Sequence, residues 1–203
     1  MRPDHVEPEW AMVTVAFVDI RGFTTFADRA TAREAVAFLN TFFGVTVPVV
    51  TGHGGRVGQL QGDGLLALFH GSGHADRALV AGCAILRHVE AEFGDRCRIG
   101  VGLNSGLVLV GTIGGGGYTE QGVVGDPVNV ASRVQDATRD LGEPLLLTEA
   151  TRLLLDDEGP ELEPRGTIVL KGKPEPVAVY ALARDVVTLS GRPTRRTEPG
   201  CPP

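Results

Sequence analysis

Two apolar runs that lead into carboxylates constrain this chain more than anything else in it. The first is Val13-Thr14-Val15-Ala16-Phe17-Val18-Asp19, followed by Ile20-Arg21-Gly22-Phe23-Thr24. The second is a pair, Arg56–Leu60 and Leu65–Phe69, joined by Gln61-Gly62-Asp63-Gly64. Short apolar, β-branched runs stopped by glycine read as buried strands, and Asp-Gly between two of them reads as a tight antiparallel turn. A carboxylate at the end of a buried strand is costly to desolvate unless a cation or a donor compensates it. Two of them, brought together from separate strands, suit a pair of divalent metals held against a nucleotide phosphate.

The rest of the pattern supplies the frame. Thr31-Ala32-Arg33-Glu34 is a capping box that opens a helix with Val36, Leu39 and Phe43 at helical spacing, ended by Pro48 and the Gly52, Gly54 and Gly55 cluster. A second helix is predicted from about Asp76 to Phe93, with Ala78, Gly82, Ile85 and Val89 as its buried stripe. Ile99–Leu103 and Leu107–Val110 read as a strand pair around Asn104-Ser105-Gly106, and Gly114–Gly117 as a mobile loop. Asp126-Pro127 reads as an N-cap followed by proline at the first helical position. Strands at Leu145–Leu147, Ile168–Leu170 and Val177–Ala183 and a helix near Glu149–Leu155 follow. The order β-α-β-β-α-β predicts an α+β sandwich of the ferredoxin-like kind. Residues 1–11 read as an N-terminal extension, 12–186 as one domain, and 187–203, rich in Pro, Gly, Thr and Arg, as a disordered tail.

Composition narrows the function. A net charge of −6 over 203 residues argues against a nucleic-acid binder, while a nucleotide's phosphates can be neutralised locally by metal. Cys83, Cys97 and Cys201 are odd in number and lack C-x-x-C spacing, which fits a reduced, cytoplasmic compartment. Residues 1–10 are polar and carry no signal, and no membrane segment is predicted because no apolar run approaches the roughly 18 residues a span needs. The stretch before the first strand is too short for a sensor domain. The phosphate loop G-x-x-x-x-G-K-[ST], the fingerprint G-x-G-x-x-G, H-E-x-x-H and G-x-S-x-G do not occur.

A third segment, Val124-Gly125-Asp126-Pro127-Val128-Asn129-Val130-Ala131-Ser132-Arg133, sets Asn129 and Arg133 one helical turn apart near a helix N-terminus. A guanidinium beside an amide in that position suits a developing phosphoryl charge. Together, Phe17–Thr24, Gly62-Asp63-Gly64, Val128–Arg133 and Leu170-Lys171-Gly172-Lys173 resemble, in order and separation, the catalytic domain of class III nucleotidyl cyclases, the adenylate and guanylate cyclases. The resemblance runs from about Met12 to Leu182. It implies that Asp19 and Asp63, with the backbone carbonyl of Ile20, bind two Mg2+ or Mn2+ ions. It implies further that Asn129 orients the ribose, Arg133 stabilises the α-phosphoryl transition state, and Lys171 contacts the outer phosphates. It also implies a head-to-tail homodimer in which the aspartates come from one chain and Asn129, Arg133 and Lys171 from the other.

The pattern breaks where the family reads its purine. Those positions hold Gln59, whose amide can donate or accept, and Gly122, with Thr119, Glu120 or Gln121 as neighbours if the alignment slips. Some relatives carry a phosphate-binding arginine where Gly100 stands, a role Arg98 would take here or leave as an exposed strand-end residue. Because most soluble members of this type resemble adenylate cyclases, the resemblance implies an adenylate cyclase acting on ATP. Mixed or preferential use of GTP, and a catalytically silent dimerisation domain, remain the alternatives.

Overall fold

The computed structural model describes residues 7–115, 118–169 and 175–183, with the backbone alone at 115 and 118–121. One mixed sheet carries the fold, from β1 (Glu9–Ile20), β2 (Arg56–Gln61), β3 (Gly64–His70), β4 (Ile99–Gly115), β5 (Tyr118–Val124), β6 (Leu145–Thr148), β7 (Leu162–Ile168) and β8 (Val177–Leu182). The order is β2-β3-β1-β4-β6-β8-β7, with β5 paired to the far half of β4. The helices are α1 (Phe23–Ala27), α2 (Ala32–Gly52), α3 (His74–Phe93), α4 (Asp126–Asp140) and α5 (Glu149–Arg152). The antiparallel β2-β3-β1-β4 core with α2 and α3 as crossovers is the expected ferredoxin-like unit, and β6 extends it in parallel with β4.

Both faces of the sheet are covered. On one, Ala16, Val18 and Ile20 of β1 pack with Phe42 of α2 and Leu79 and Ile85 of α3. On the other, Val13 and Val15 meet Leu66, Leu68, Val108 and Ala131 of α4. A strand buried on both sides must be apolar throughout, which is why Leu65–Phe69 is an unbroken apolar run.

The seat of α4 is a lane of glycines on β4. A Cβ on Gly102 would lie 2.3 Å from the backbone nitrogen of Gln135 and 2.6 Å from the carbonyl oxygen of Ala131. One on Gly100 would lie 2.3 Å from Thr138 Oγ1, and one on Gly106 2.5 Å from the ring of Pro127. The helix backbone rests directly on the strand, with its first turn over Gly106 and its last turns over Gly100.

Several boundaries differ from the sequence reading. β1 begins at Glu9, ahead of Val13. Pro48 does not end α2: it sits inside the helix, with side-chain-free Gly44 one turn back, and the helix runs on to Gly52. Asn104-Ser105-Gly106 is no turn but part of a single 17-residue strand, which pairs with β1 from Ile99 to Val110. Gly114 and Gly115 belong to that strand rather than to a loop, and 116–117 lie outside the described residues. The N-cap of α4 is Gly125, with Asp126 already helical. β7 precedes the expected Ile168–Leu170 strand, because Pro164 and Gly166 are absorbed in a bulge, and α5 stops at Arg152 rather than near Leu155. Contrary to the expectation that no run is long enough, α2 is long and apolar enough to cross a membrane; here it buries Phe42, Thr46, Val49 and Val50 in the core. The tail from 187 lies outside the described residues.

The close seat makes a prediction. Gly102→Ala should cost about 2–3 kcal/mol of stability, the upper part of the usual overpacking range, because the obstacle is helix backbone rather than a flexible side chain. Urea denaturation measures it; unchanged stability would mean that α4 does not approach β4 this closely.

Candidate active site

Asp19 stands near the end of β1, paired with Gly64 on one side and Gly100 on the other. A Cβ on Gly64 would lie 2.8 Å from Asp19 Oδ1 and 2.8 Å from the carbonyl oxygen of Val18, so glycine there keeps a cradle open beside the carboxylate. Asp63 precedes Gly64 in the hairpin turn. The left-handed residue is Gly62, at φ 61°, and Asp63 has negative φ, so the central pair of the turn is Gly62-Asp63. Asp19 and Asp63 are both half-buried. Burial, and next the charge of Asp63, push the Asp19 carboxyl up to about 6, against a smaller opposing pull from Arg139.

This donor set fits a hard divalent cation. The Asp19 carboxylate borders an open cradle, the charge of Asp63 acts on it, and burial has made it proton-hungry. Among the described residues no set of three His, Cys, Asp or Glu side chains converges to hold a metal. Mg2+ ordinarily takes one or two carboxylates and completes its octahedron with water and substrate phosphate oxygens. Asp19, Asp63 and the carbonyl of Ile20 would form that partial set.

Arg21, which the sequence reading left without a role, ties this corner together. Its Nη2 donates to the carbonyl of Thr138 in the last turn of α4, at 3.0 Å, and to that of Glu143 in the segment that follows, at 2.7 Å. Its backbone nitrogen donates to the Arg98 carbonyl at 2.7 Å. A half-buried cation on carbonyls at and just past the helix end complements the helix dipole and ties the end of β1 to the end of α4.

Asn129 and Arg133 lie elsewhere. The buried face of α4 is Val130, Ala131, Val134, Gln135, Ala137 and Thr138, so Asn129 and Arg133 project from the outer face, away from the sheet. Arg133 makes an exposed ion pair with Asp136 at 3.3 Å. Pro127 sits over Gly106 and Thr138 over Gly100, a span of about 16 Å along the helix axis. Asp19, paired with Gly100, is at the far end from Asn129.

Gln59 and Gly122 do come together. They line a groove of about 260 Å³ with Arg56, Leu66, Ile113 and Val128, the last adjacent to Asn129. Gln61 Nε2 donates to Gln59 Oε1 at 2.9 Å. A Cβ on Gly122 would lie 2.3 Å from Ile113 Cδ1, so Ile113 fills the space that a side chain at position 122 would need. Sequence reasoning missed Ile113, since its approach depends on the register of β4 with β5. Arg98 is exposed and 3.9 Å from Asp95, and Gly100 has no room for an arginine. Lys171 and the side chains of Thr119–Gln121 lie outside the described residues.

The site residues thus fall into two groups on one chain, the carboxylate corner and the groove leading to the outer face of α4. The family model for the adenylate and guanylate cyclase catalytic domain matches residues 6–184. The chain belongs to that family. The cyclase domain is 31% identical over 182 residues to an adenylate cyclase of Anabaena cylindrica, covering 83% of this chain and 36% of that protein. It is 30% identical over 178 residues to the terminal-differentiation-specific adenylate cyclase of Dictyostelium discoideum, covering 83% of this chain and 8% of that one. The chain therefore spans little more than a third of the one relative's length and less than a tenth of the other's. Among solved structures it resembles the adenylyl cyclase CyaB of P. aeruginosa, with TM-score 0.80, 26% identity and coverage of 88% and 96% of the two chains. It resembles the guanylyl cyclase Cya2 nearly as well, with TM-score 0.78, 27% identity and coverage of 88% and 94%.

The raised Asp19 pKa has a stability consequence with a definite sign. An aspartate titrates near 3.9 in the unfolded chain and about 6 in this fold, so the folded state binds the proton more tightly. Raising pH from about 4 to 6 therefore costs the metal-free domain stability, on the order of 1–2 kcal/mol after solvent screening. Asp19→Asn should be more stable than wild type by that amount at pH 8 without divalent ions, and the gain should vanish below pH 4. Urea titrations across that range measure it; a variant no more stable at pH 8 than at pH 4, relative to wild type, would contradict the desolvation of Asp19.

Proposed function

We propose that this domain converts ATP to 3′,5′-cyclic AMP and pyrophosphate, at sites formed between two copies of the chain in the cytoplasm. The observation that carries the reading is the half-buried Asp19 beside the Gly64 cradle, with the charge of Asp63 acting on it. When bound there, two Mg2+ or Mn2+ ions would supply a lowered pKa for the ribose 3′-hydroxyl and neutralisation of the triphosphate. Asp19, Asp63 and the Ile20 carbonyl would hold them. The 3′-oxygen attacks the α-phosphorus, its proton passes to solvent, and the bond to the bridging oxygen breaks to release pyrophosphate. Asn129 holds the ribose in line, and Arg133 leaves its weak surface pair with Asp136 for the charge growing on the α-phosphoryl oxygens. Lys171 takes the outer phosphates.

Dimerisation is supported by the division of the site. Asn129 and Arg133 point off the outer face of α4, so within one chain they do not converge on Asp19 and Asp63. A head-to-tail pair sets the outer face of one α4 against the carboxylate corner of the other, giving two equivalent sites by two-fold symmetry.

Use of GTP is a second reading, favoured by Gln59 and by the similarity to Cya2. With its Oε1 engaged by Gln61, Gln59 keeps its Nε2 hydrogens for the base, and adenine N1 and guanine O6 are both acceptors. Ile113 beside Gly122 adds apolar contact and no opposing hydrogen bond. Discrimination should therefore be about 1–2 kcal/mol, roughly 5- to 30-fold in kcat/KM, with ATP preferred.

Purified domain with Mn2+ and each nucleotide, scored for both cyclic products and pyrophosphate, tests the reading. Cyclic AMP should dominate, Asp63→Ala should lose nearly all turnover, and specific activity should rise with protein concentration. No cyclic product from either nucleotide would leave a silent dimerisation domain, and a preference of several thousand-fold would mean that groups other than Gln59 read the purine.

A further inference from the structure

Beneath the first turn of α4 runs a chain of buried polar side chains that no step above uses. Asn104 of β4 is 5% exposed, and both ends of its amide are engaged. Its Nδ2 donates to the Pro127 carbonyl at 3.0 Å, and its Oδ1 accepts from Thr148 Oγ1 at 2.7 Å. Thr148 also caps α5, accepting from the Thr151 backbone nitrogen at 3.3 Å. Ser105 Oγ donates to Thr151 Oγ1 at 3.0 Å and lies 2.7 Å from Thr14 Oγ1, which in turn lies 2.7 Å from His74 Nδ1 at the start of α3. Thr14, Asn104, Ser105, Thr148 and Thr151 are all buried.

Buried polar groups of this kind are costly unless fully paired, and when paired they fix a single arrangement. Asn104 is the member that reaches α4. It grips the carbonyl of Pro127, whose ring rests on Gly106, two residues before Asn129. Neither contact involves Asn129 or Arg133 themselves. Their position follows from where the first turn is held, because both project into solvent from the outer face.

We propose that Asn104 is a positioning residue for the Asn129–Arg133 half of the site: its amide, braced by Thr148, holds the first turn of α4 in the register that aims both side chains at the nucleotide. This rests on the reading that those two residues act on the substrate. An apolar residue here would still fill the core but would let the helix start shift, and a shift near 1 Å in groups that stabilise a transition state costs up to about 100-fold.

The test uses the whole chain with Asn104→Ala, and with Asn104→Ser beside it, since serine keeps the pocket polar yet is too short to span both partners. Turnover should fall about 10- to 100-fold while KM for ATP changes less than about threefold. Mixing the variant with Asp63→Ala chains should restore activity, because the mixed dimer pairs an intact carboxylate corner from one chain with an intact Asn129–Arg133 half from the other. Mixing it with Arg133→Ala chains should not, since both chains are then damaged in the same half. Wild-type turnover in both position-104 variants, or equal failure of the two mixtures, overturns the proposal. Arg133→Ala alone at wild-type turnover would instead remove the functional reading on which the proposal stands.

Discussion

The approach of α4 to β4, backbone against strand, is the contact on which the rest of the molecule depends. It is possible because Gly100, Gly102 and Gly106 recur on the same face of one strand. The helix is then fastened at both ends by side chains from the sheet. Arg21 binds carbonyls at and just past its C-terminal end, and Asn104 binds the Pro127 carbonyl at its start. A helix so held is a rigid bar. One end abuts the carboxylate corner, and its outer face carries Asn129 and Arg133 away from it. The same packing that stabilises the monomer therefore keeps its two sets of site residues apart.

The carboxylate corner works against stability. Asp19 is half-buried beside Asp63, and the Gly64 cradle gives it no side chain to bond with. Local consistency fails where function requires it, a common feature of sites whose charges await a ligand. Binding a divalent cation would relieve the repulsion and add stability in proportion to its occupancy.

Local signals in the sequence translated well. The Thr31–Glu34 capping box forms as expected, the hairpin carries Asp63 at its tip, and the buried stripe of α3 is the predicted one. Glycine misled the reading where its cause was tertiary. Gly106 looks like a turn residue, yet it is extended strand kept bare for Pro127, with Asn104 and Ser105 polar because they serve a buried network. Asp126 looks like an N-cap, but Gly125 takes that place against Val108. Pro48 looks like a helix end, yet it stands on the exposed side of α2 and the helix runs on past it to Gly52. The candidate site residues were named from their motifs, and the fold places Asp19 near Asp63 and Gln59 near Gly122. Their division into two separate groups was implied by the family resemblance alone; the spacing of the residues did not show it, because it follows from the direction of α4 across the sheet.

That division is measured most directly by mixing two inactive proteins, one carrying Asp63→Ala and the other Arg133→Ala, and assaying cyclic nucleotide formation with Mn2+. A mixed dimer holds one intact site and one doubly damaged site. The account predicts that activity returns on mixing and approaches about one quarter of the wild-type value for freely exchanging equimolar chains, since half the dimers are mixed and each has one working site. Mixtures that contain mixed dimers and remain as inactive as their components would contradict it, and would mean that Asp63 and Arg133 serve one site within a single chain.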